Sequence, residues 1–298
     1  MIYQQLGKSN LQVSKIGFGC MSLSPAQHDN QYILLHAVES GINYFDTADL
    51  YDKGANEELL GKTFKQIRDK IIIATKVGNQ WRRDGSGWDW NATKKYILSA
   101  VEESLRRLKT NHIDLYQLHG GTIDDPIDET IEAFEQLVAQ GKIRYYGISS
   151  IRPNVIKYWV QHSNMVSVMM QYSLLDRRPE EGCFKLLKEK NIGVLARGTV
   201  AQGLLIDKSA KPYLNYTSEQ VAGASKAIHE VSQNKRTSSQ TAMQFVLNHP
   251  AVVSAVAGIR TISQLNEAVA TLDRTPLIEQ EIKKLQNALP INYYKDHR

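Results

Sequence analysis

An aspartate, a tyrosine, a lysine and a histidine stand at or just past the ends of three short apolar runs in this 298-residue chain, and their types make an acid–base set. Asp46 closes the run Asn43-Tyr44-Phe45, Lys76 closes Ile71-Ile72-Ile73-Ala74-Thr75, and His119 closes Asp114-Leu115-Tyr116-Gln117-Leu118. Tyr51 follows Asp46 by five residues. A free phenol has a pKa of about 10 and donates poorly at neutral pH, but a neighbouring ammonium stabilises the phenolate and strengthens the acid. A buried lysine keeps its proton only beside a counter-charge, which Asp46 can supply. His119 can donate to an oxygen and fix its direction. Such a set suits protonation of the alkoxide that develops as a carbonyl group is reduced.

Each residue alone has a plainer use. Asp46 could cap a helix or a turn, Lys76 could run its stem over an apolar strand and keep its head in water, and His119 could be a loop residue. The position of all of them at matching ends of successive strand-like runs favours the chemical reading.

The elements that must position them alternate. Runs rich in β-branched and aromatic residues centre near Ile16, Tyr44, Ile73, Leu115, Tyr146, Met169, Val194 and Val253. Helical patterns lie between them at 29–40, 54–66, 93–108, 127–140, 152–162, 179–190, 218–232 and 262–272. Ile97, Val101, Leu105 and Leu108 mark one apolar helix face behind the opening Asn91-Ala92-Thr93, and Gly41 and Gly141 suit helix ends. This cadence predicts an α/β fold, a closed (β/α)8 TIM barrel spanning 1–298 as a single domain. A β-hairpin around Gly7-Lys8-Ser9-Asn10 is expected before the barrel, able to plug its floor, with extra helices near 238–247 after the seventh strand and near 277–288 after the eighth. The long segment between the seventh and eighth strands has the length of a lid or ligand clamp.

Composition narrows the classes. Hydrophobic residues make up 42% and charged residues 22%, as in globular domains. The net charge of +5 is scattered, with basic groupings no longer than pairs such as Arg82-Arg83, which argues against nucleic acid and for a mildly positive mouth. Cys20 and Cys183 give no disulfide framework or metal spacing, and no apolar run reaches membrane-spanning length. A cytoplasmic protein with no metal, nucleic-acid or membrane partner is the expectation.

The segment Phe45-Asp46-Thr47-Ala48-Asp49-Leu50-Tyr51, followed by Glu57-Glu58-Leu59-Leu60-Gly61, resembles the signature of the aldo-keto reductase family. Ala74-Thr75-Lys76-Val77 and Tyr116-Gln117-Leu118-His119 match that family's next motifs in order and spacing. The resemblance implies reduction of aldehydes or ketones by hydride from NADPH, with Tyr51 as general acid and Asp46, Lys76 and His119 as its catalytic partners. It also implies the cofactor contacts. Gly19 and Asp46 would be among them, and Ser149 and Gln171 would bond the carboxamide. Arg197 stands where relatives often carry a stacking aromatic. Gln202 and Gly203 would span the pyrophosphate, and Gly258, Arg260, Gln264 and Glu267 would surround the adenosine 2′-phosphate and adenine. Ser150 and Ala268 replace asparagines common in the family. No glycine-rich dinucleotide fingerprint follows a strand, so the cofactor would lie extended across the barrel mouth. The small-molecule carbonyl substrate is expected against Met21, Tyr51, Trp81 and His119, with Trp88 and Trp90 as further wall or rim residues. The resemblance also favours a monomer, and its chief alternative is an NADPH-binding regulatory or sensor subunit with slow turnover.

Overall fold

The computed structural model describes residues 1–23 and 27–298. Its first strands are short: β1 (Tyr3–Gln5) and β2 (Gln12–Ser14) pair antiparallel, and β3 (Ile16–Gly19) begins the barrel. There follow α1 (Asn30–Glu39), β4 (Tyr44–Asp46), α2 (Ala55–Phe64), β5 (Ile72–Val77), β6 (Asn79–Trp81), β7 (Trp88–Trp90), α3 (Lys94–Leu108), β8 (Ile113–Leu118), α4 (Ile127–Ala139), β9 (Ile143–Ser149), α5 (Pro153–His162) and β10 (Ser167–Gln171). The last third holds α6 (Cys183–Glu189), β11 (Gly193–Arg197), α7 (Ser218–Ser232), α8 (Ser238–Leu247), β12 (Val252–Gly258), α9 (Ile262–Ala270) and α10 (Glu279–Asn287). Strands β3, β4, β5, β8, β9, β10, β11 and β12 close in that order into a parallel barrel, as the cadence predicts.

β5 and β8 are buried along their whole length, since one face meets the helices and the other fills the barrel, and so neither alternates between apolar and polar residues. The helices form where capping and apolar spacing agree. The Thr93 hydroxyl accepts the Tyr96 backbone N–H at the start of α3, whose Ile97, Val101, Leu105 and Leu108 are buried. Thr217 with Gln220 and Thr237 with Gln240 build capping boxes on α7 and α8.

The hairpin β1–β2 seals the floor. Leu6, Leu11 and Val13 pack in one cluster with Tyr44, Ala74, Leu115, Met169 and Leu195 from inside the barrel. Gly7 permits this close fit: its φ is +54°, and a Cβ there would stand 2.4 Å from the Val166 carbonyl oxygen.

One local expectation changes. The helix read over 179–190 is a 3-10 turn (Arg178–Glu181) followed by α6, because Gly182 adopts an extended φ of −170° between them. The segment around Gly85-Ser86-Gly87 joins a second hairpin, β6–β7, in which Trp81 opposes Trp88 and Arg82 grips Asp89 through two guanidinium nitrogens.

Strand register sets the mouth. Gly19 pairs with Asp46, Asp46 with Ala74, Lys76 with Gln117, Gln171 with Arg197, and Gly258 with Gly19. The carboxyl ends of the strands therefore gather on one rim, where barrels of this kind carry ligands. Leu6→Ala should lower unfolding stability by about 3 kcal/mol, through lost burial and the cavity left behind. Denaturant titration checks this, and an unchanged midpoint would show that the floor is not sealed by the hairpin.

Candidate active site

Lys76 is the centre of the rim. Its side chain is 1% exposed, and its Nζ donates to Asp46 Oδ2 at 2.6 Å, to the Thr47 carbonyl oxygen at 2.7 Å and to the Tyr51 hydroxyl at 3.4 Å. Three acceptors match the three protons of an ammonium. Gln117 donates to the other Asp46 oxygen at 3.4 Å. Thr47 is held in turn, because its hydroxyl donates to Asn56 Oδ1, and the Asn56 amide donates to the Cys20 carbonyl.

Local geometry brings Tyr51 back over this pair. Asp52 and Lys53 both adopt left-handed φ, +48° and +55°, so the chain turns sharply before α2. The Tyr51 ring then lies 5.1 Å from Lys76 Nζ and meets the His119 ring edge-on at 5.7 Å. The turn is anchored from behind by Glu57, which is fully buried and accepts from Thr75 Oγ1 and Arg107 Nε. Helices α2 and α3 meet closely there, since a Cβ on Gly61 would stand 2.4 Å from the Arg107 carbonyl oxygen.

Burial and charge compete at each group. Desolvation pulls the Lys76 ammonium down, but Asp46 and then Tyr51 outweigh it, and its pKa lies above the ordinary lysine value. The lysine is charged despite complete burial. For Tyr51, burial raises the phenol further than Lys76 lowers it, so its pKa ends above 10. The depression anticipated from sequence is a real contribution but the smaller one. At neutral pH the phenol therefore holds its proton. Burial, helped by the Lys76 and Arg197 charges, lowers His119 to about 3, so its imidazole is neutral. Its Nδ1 is buried without a partner, leaving Nε2 as the nitrogen able to meet a substrate.

The later strands bring a second set of residues to the rim. Gln171 Nε2 donates to Asp176 Oδ2 at 3.0 Å and to the Tyr213 hydroxyl at 2.9 Å, while its Oε1 accepts from Arg197 at 3.2 Å. Arg197 has no carboxylate partner among the described residues, and its charge is felt at Asp46, Tyr51 and His119. Ser149 is buried at the end of β9, and Gln202, with φ +60°, precedes Gly203 in a tight turn after β11. Gly258 is exposed beside Ser22, and the exposed Arg260 precedes α9. Gln264 accepts the Arg260 backbone N–H at 2.9 Å. Glu267 points instead to the Thr237 hydroxyl at the start of α8.

Among the substrate candidates, Met21 is 66% exposed on the turn after β3, and Tyr51 and His119 touch. Trp81 lies in the β6–β7 hairpin, where Lys53 Nζ stands over its ring, 5.2 Å from the ring centre. Trp90 packs against Gly78, Gly120 and Gly121 next to the rim and donates to Asp125 Oδ1 at 2.9 Å, whereas Trp88 is exposed. Sequence reasoning gave no role to Gln117, Asn56, Asp176 or Tyr213. Gln117 sits inside a motif already quoted, but Tyr213 lies in the long late segment and carries no signal without its contact to Gln171.

The carboxyl rim of a parallel barrel thus carries an Asp–Lys–Tyr chain and a neutral histidine. The Aldo/keto reductase family model matches residues 15–290, and the chain belongs to that family. An uncharacterised oxidoreductase of Bacillus subtilis, YqkF, is 50% identical over 99% of both chains. The aldo-keto reductase Yakc [NADP(+)] of Schizosaccharomyces pombe is 35% identical, over 68% of this chain and 63% of its own. Among solved structures, aldo-keto reductase AKR11C1 of Bacillus halodurans is 49% identical in its holo form, with a TM-score of 0.94 over 100% of this chain and 99% of that one. Its apo form gives a TM-score of 0.86.

Lys76→Met should destabilise the protein by about 3 kcal/mol or more, because it leaves Asp46 buried and unpaired. Adding Asp46→Leu should restore much of that loss in denaturant titration, and a single change costing nothing would refute a buried charge pair. His119 should show no titration by NMR between pH 5 and 8. Its folded-state pKa lies below its unfolded value of 6.5, so its contribution to stability is full above pH 6.5 and falls as pH drops toward about 3. A His119 signal titrating near 6.5 in the folded protein would contradict this.

Proposed function

We propose that this chain is an NADPH-dependent aldehyde or ketone reductase in which Tyr51 is the general acid. The observation that carries the reading is the Lys76 ammonium, bonded at once to Asp46 and to the Tyr51 hydroxyl at the open rim. The mouth residues fit a phosphorylated dinucleotide. Arg197 and Arg260 have no carboxylate partner among the described residues, and Gly258 is exposed at the end of β12. Arg260 just ahead of α9 suits a phosphate monoester and thus NADPH over NADH. The likeness to the holo form named above supports the same reading.

The dinucleotide, when bound, would supply the hydride. The carbonyl oxygen would lie between the Tyr51 hydroxyl and the His119 ring, which donate without adding charge. Tyr51 gives its proton to the developing alkoxide, and the Lys76 ammonium stabilises the phenolate left behind. Asp46 holds Lys76 in place and keeps it protonated. Water later returns the proton to Tyr51. Ser149 and Gln171 would hold the carboxamide end of the cofactor, and Gln202 and Gly203 its phosphates. Gln264 and Glu267 would stand near the adenosine end.

Mixing the protein with NADPH and 4-nitrobenzaldehyde should give steady loss of absorbance at the nicotinamide band. Tyr51→Phe should slow it by about a hundredfold or more while leaving NADPH binding intact. Tight NADPH binding without consumption of any carbonyl compound would instead favour a cofactor-sensing subunit.

A further inference from the structure

Gln171 ends β10 half-buried on the rim, and its amide is bonded to residues from three other places in the chain. Nε2 donates to Asp176 Oδ2 at 3.0 Å and to the Tyr213 hydroxyl at 2.9 Å, while Oε1 accepts from Arg197 Nη1 at 3.2 Å. Asp176 is 1% exposed and accepts from two guanidinium nitrogens of Arg178, at 2.7 and 2.8 Å. Reciprocal backbone bonds between Ser173 and Asp176 close the turn that carries it. Tyr213 belongs to the long segment after β11. Its backbone exchanges two hydrogen bonds with Tyr216, whose hydroxyl donates to the Pro290 carbonyl oxygen.

These neighbours decide which end of the amide is which. A carboxylate only accepts and a guanidinium only donates, so nitrogen must face Asp176 and oxygen must face Arg197. Both amide protons are then used, one on Asp176 and one on Tyr213. The oxygen has two lone pairs, and Arg197 takes one. Toward a ligand in the mouth, Gln171 is therefore an acceptor and nothing else. A glutamine without these partners could turn either end to its ligand.

We propose that Asp176 and Tyr213 are positioning residues that act through Gln171, fixing it as a hydrogen-bond acceptor for the NH2 group of the cofactor carboxamide. The proposal rests on the nicotinamide reading given above. Ser149, buried at the end of β9, carries a hydroxyl able to donate to the carboxamide oxygen. The two residues then offer the carboxamide one acceptor and one donor, and Asp176 and Tyr213 keep those roles from being exchanged. Tyr213 also gives the long segment a part in cofactor choice, since its hydroxyl holds Gln171 only while that segment is docked.

Fluorescence titration of the full chain measures cofactor binding without turnover. The probes are NADPH and its reduced 3-acetylpyridine analogue, in which a methyl group replaces the carboxamide NH2. The unaltered protein should bind NADPH about tenfold more tightly than the analogue, the worth of one hydrogen bond. Asp176→Asn sets beside Gln171 an amide that can donate as well as accept. It should bring the ratio of the two affinities down to about two, by weakening NADPH and leaving the analogue nearly unchanged. Tyr213→Phe removes one oxygen from a half-buried side chain and should lower the ratio about threefold, which keeps the test valid even if Asp176→Asn fails to fold. A variant that merely loosened the fold would weaken both probes alike. Equal loss of both, a ratio unchanged in both variants, or a ratio near one in the unaltered protein would overturn the positioning role while leaving the reductase reading intact. Failure of the unaltered protein to bind NADPH at all would overturn both.

Discussion

A charged lysine buried to 1% exposure is the constraint on which the rest of this molecule depends. An ammonium removed from water needs three acceptors, and those found here come from a strand end and from the turn beyond it. Asp46 ends a strand, Thr47 supplies the carbonyl that follows it, and Tyr51 returns through a left-handed turn. If any is displaced, the lysine either loses its proton or draws in water. The arrangement is therefore self-enforcing, because the groups that would do chemistry are also those that make the buried charge tolerable.

The scaffold around them supplies rigidity of a matching order. Barrel closure fixes which strand ends are neighbours, and the floor hairpin fills the interior from below, so the rim cannot relax inward. The Glu57–Arg107 pair and the close contact at Gly61 hold the Tyr51 turn from outside. Polar groups that are buried but fully bonded specify one geometry more strongly than apolar contacts alone.

On the opposite side of the rim, Gln171, Asp176, Arg197 and Tyr213 form a network in which one amide serves three partners. It ties the long segment after β11 to the end of β10. That segment was readable as a lid by its length, but its role in orienting Gln171 was not, since Tyr213 stands 42 positions away from the residue it bonds.

The amino-acid sequence by itself determined the alternation of strands and helices, the floor hairpin and the identities of Asp46, Tyr51, Lys76 and His119, because burial period, capping residues and strand-end motifs are local signals. It also placed the late phosphate-suited residues Gly258 and Arg260 beyond the last strand. Tertiary structure alone decided the rest. It recruited Gln117 and Tyr213 and split the sixth helical pattern at Gly182. It also reversed the expected sign at Tyr51, for a pKa depends on how much water is excluded as well as on which charge is near, and exclusion is a property of the packed whole.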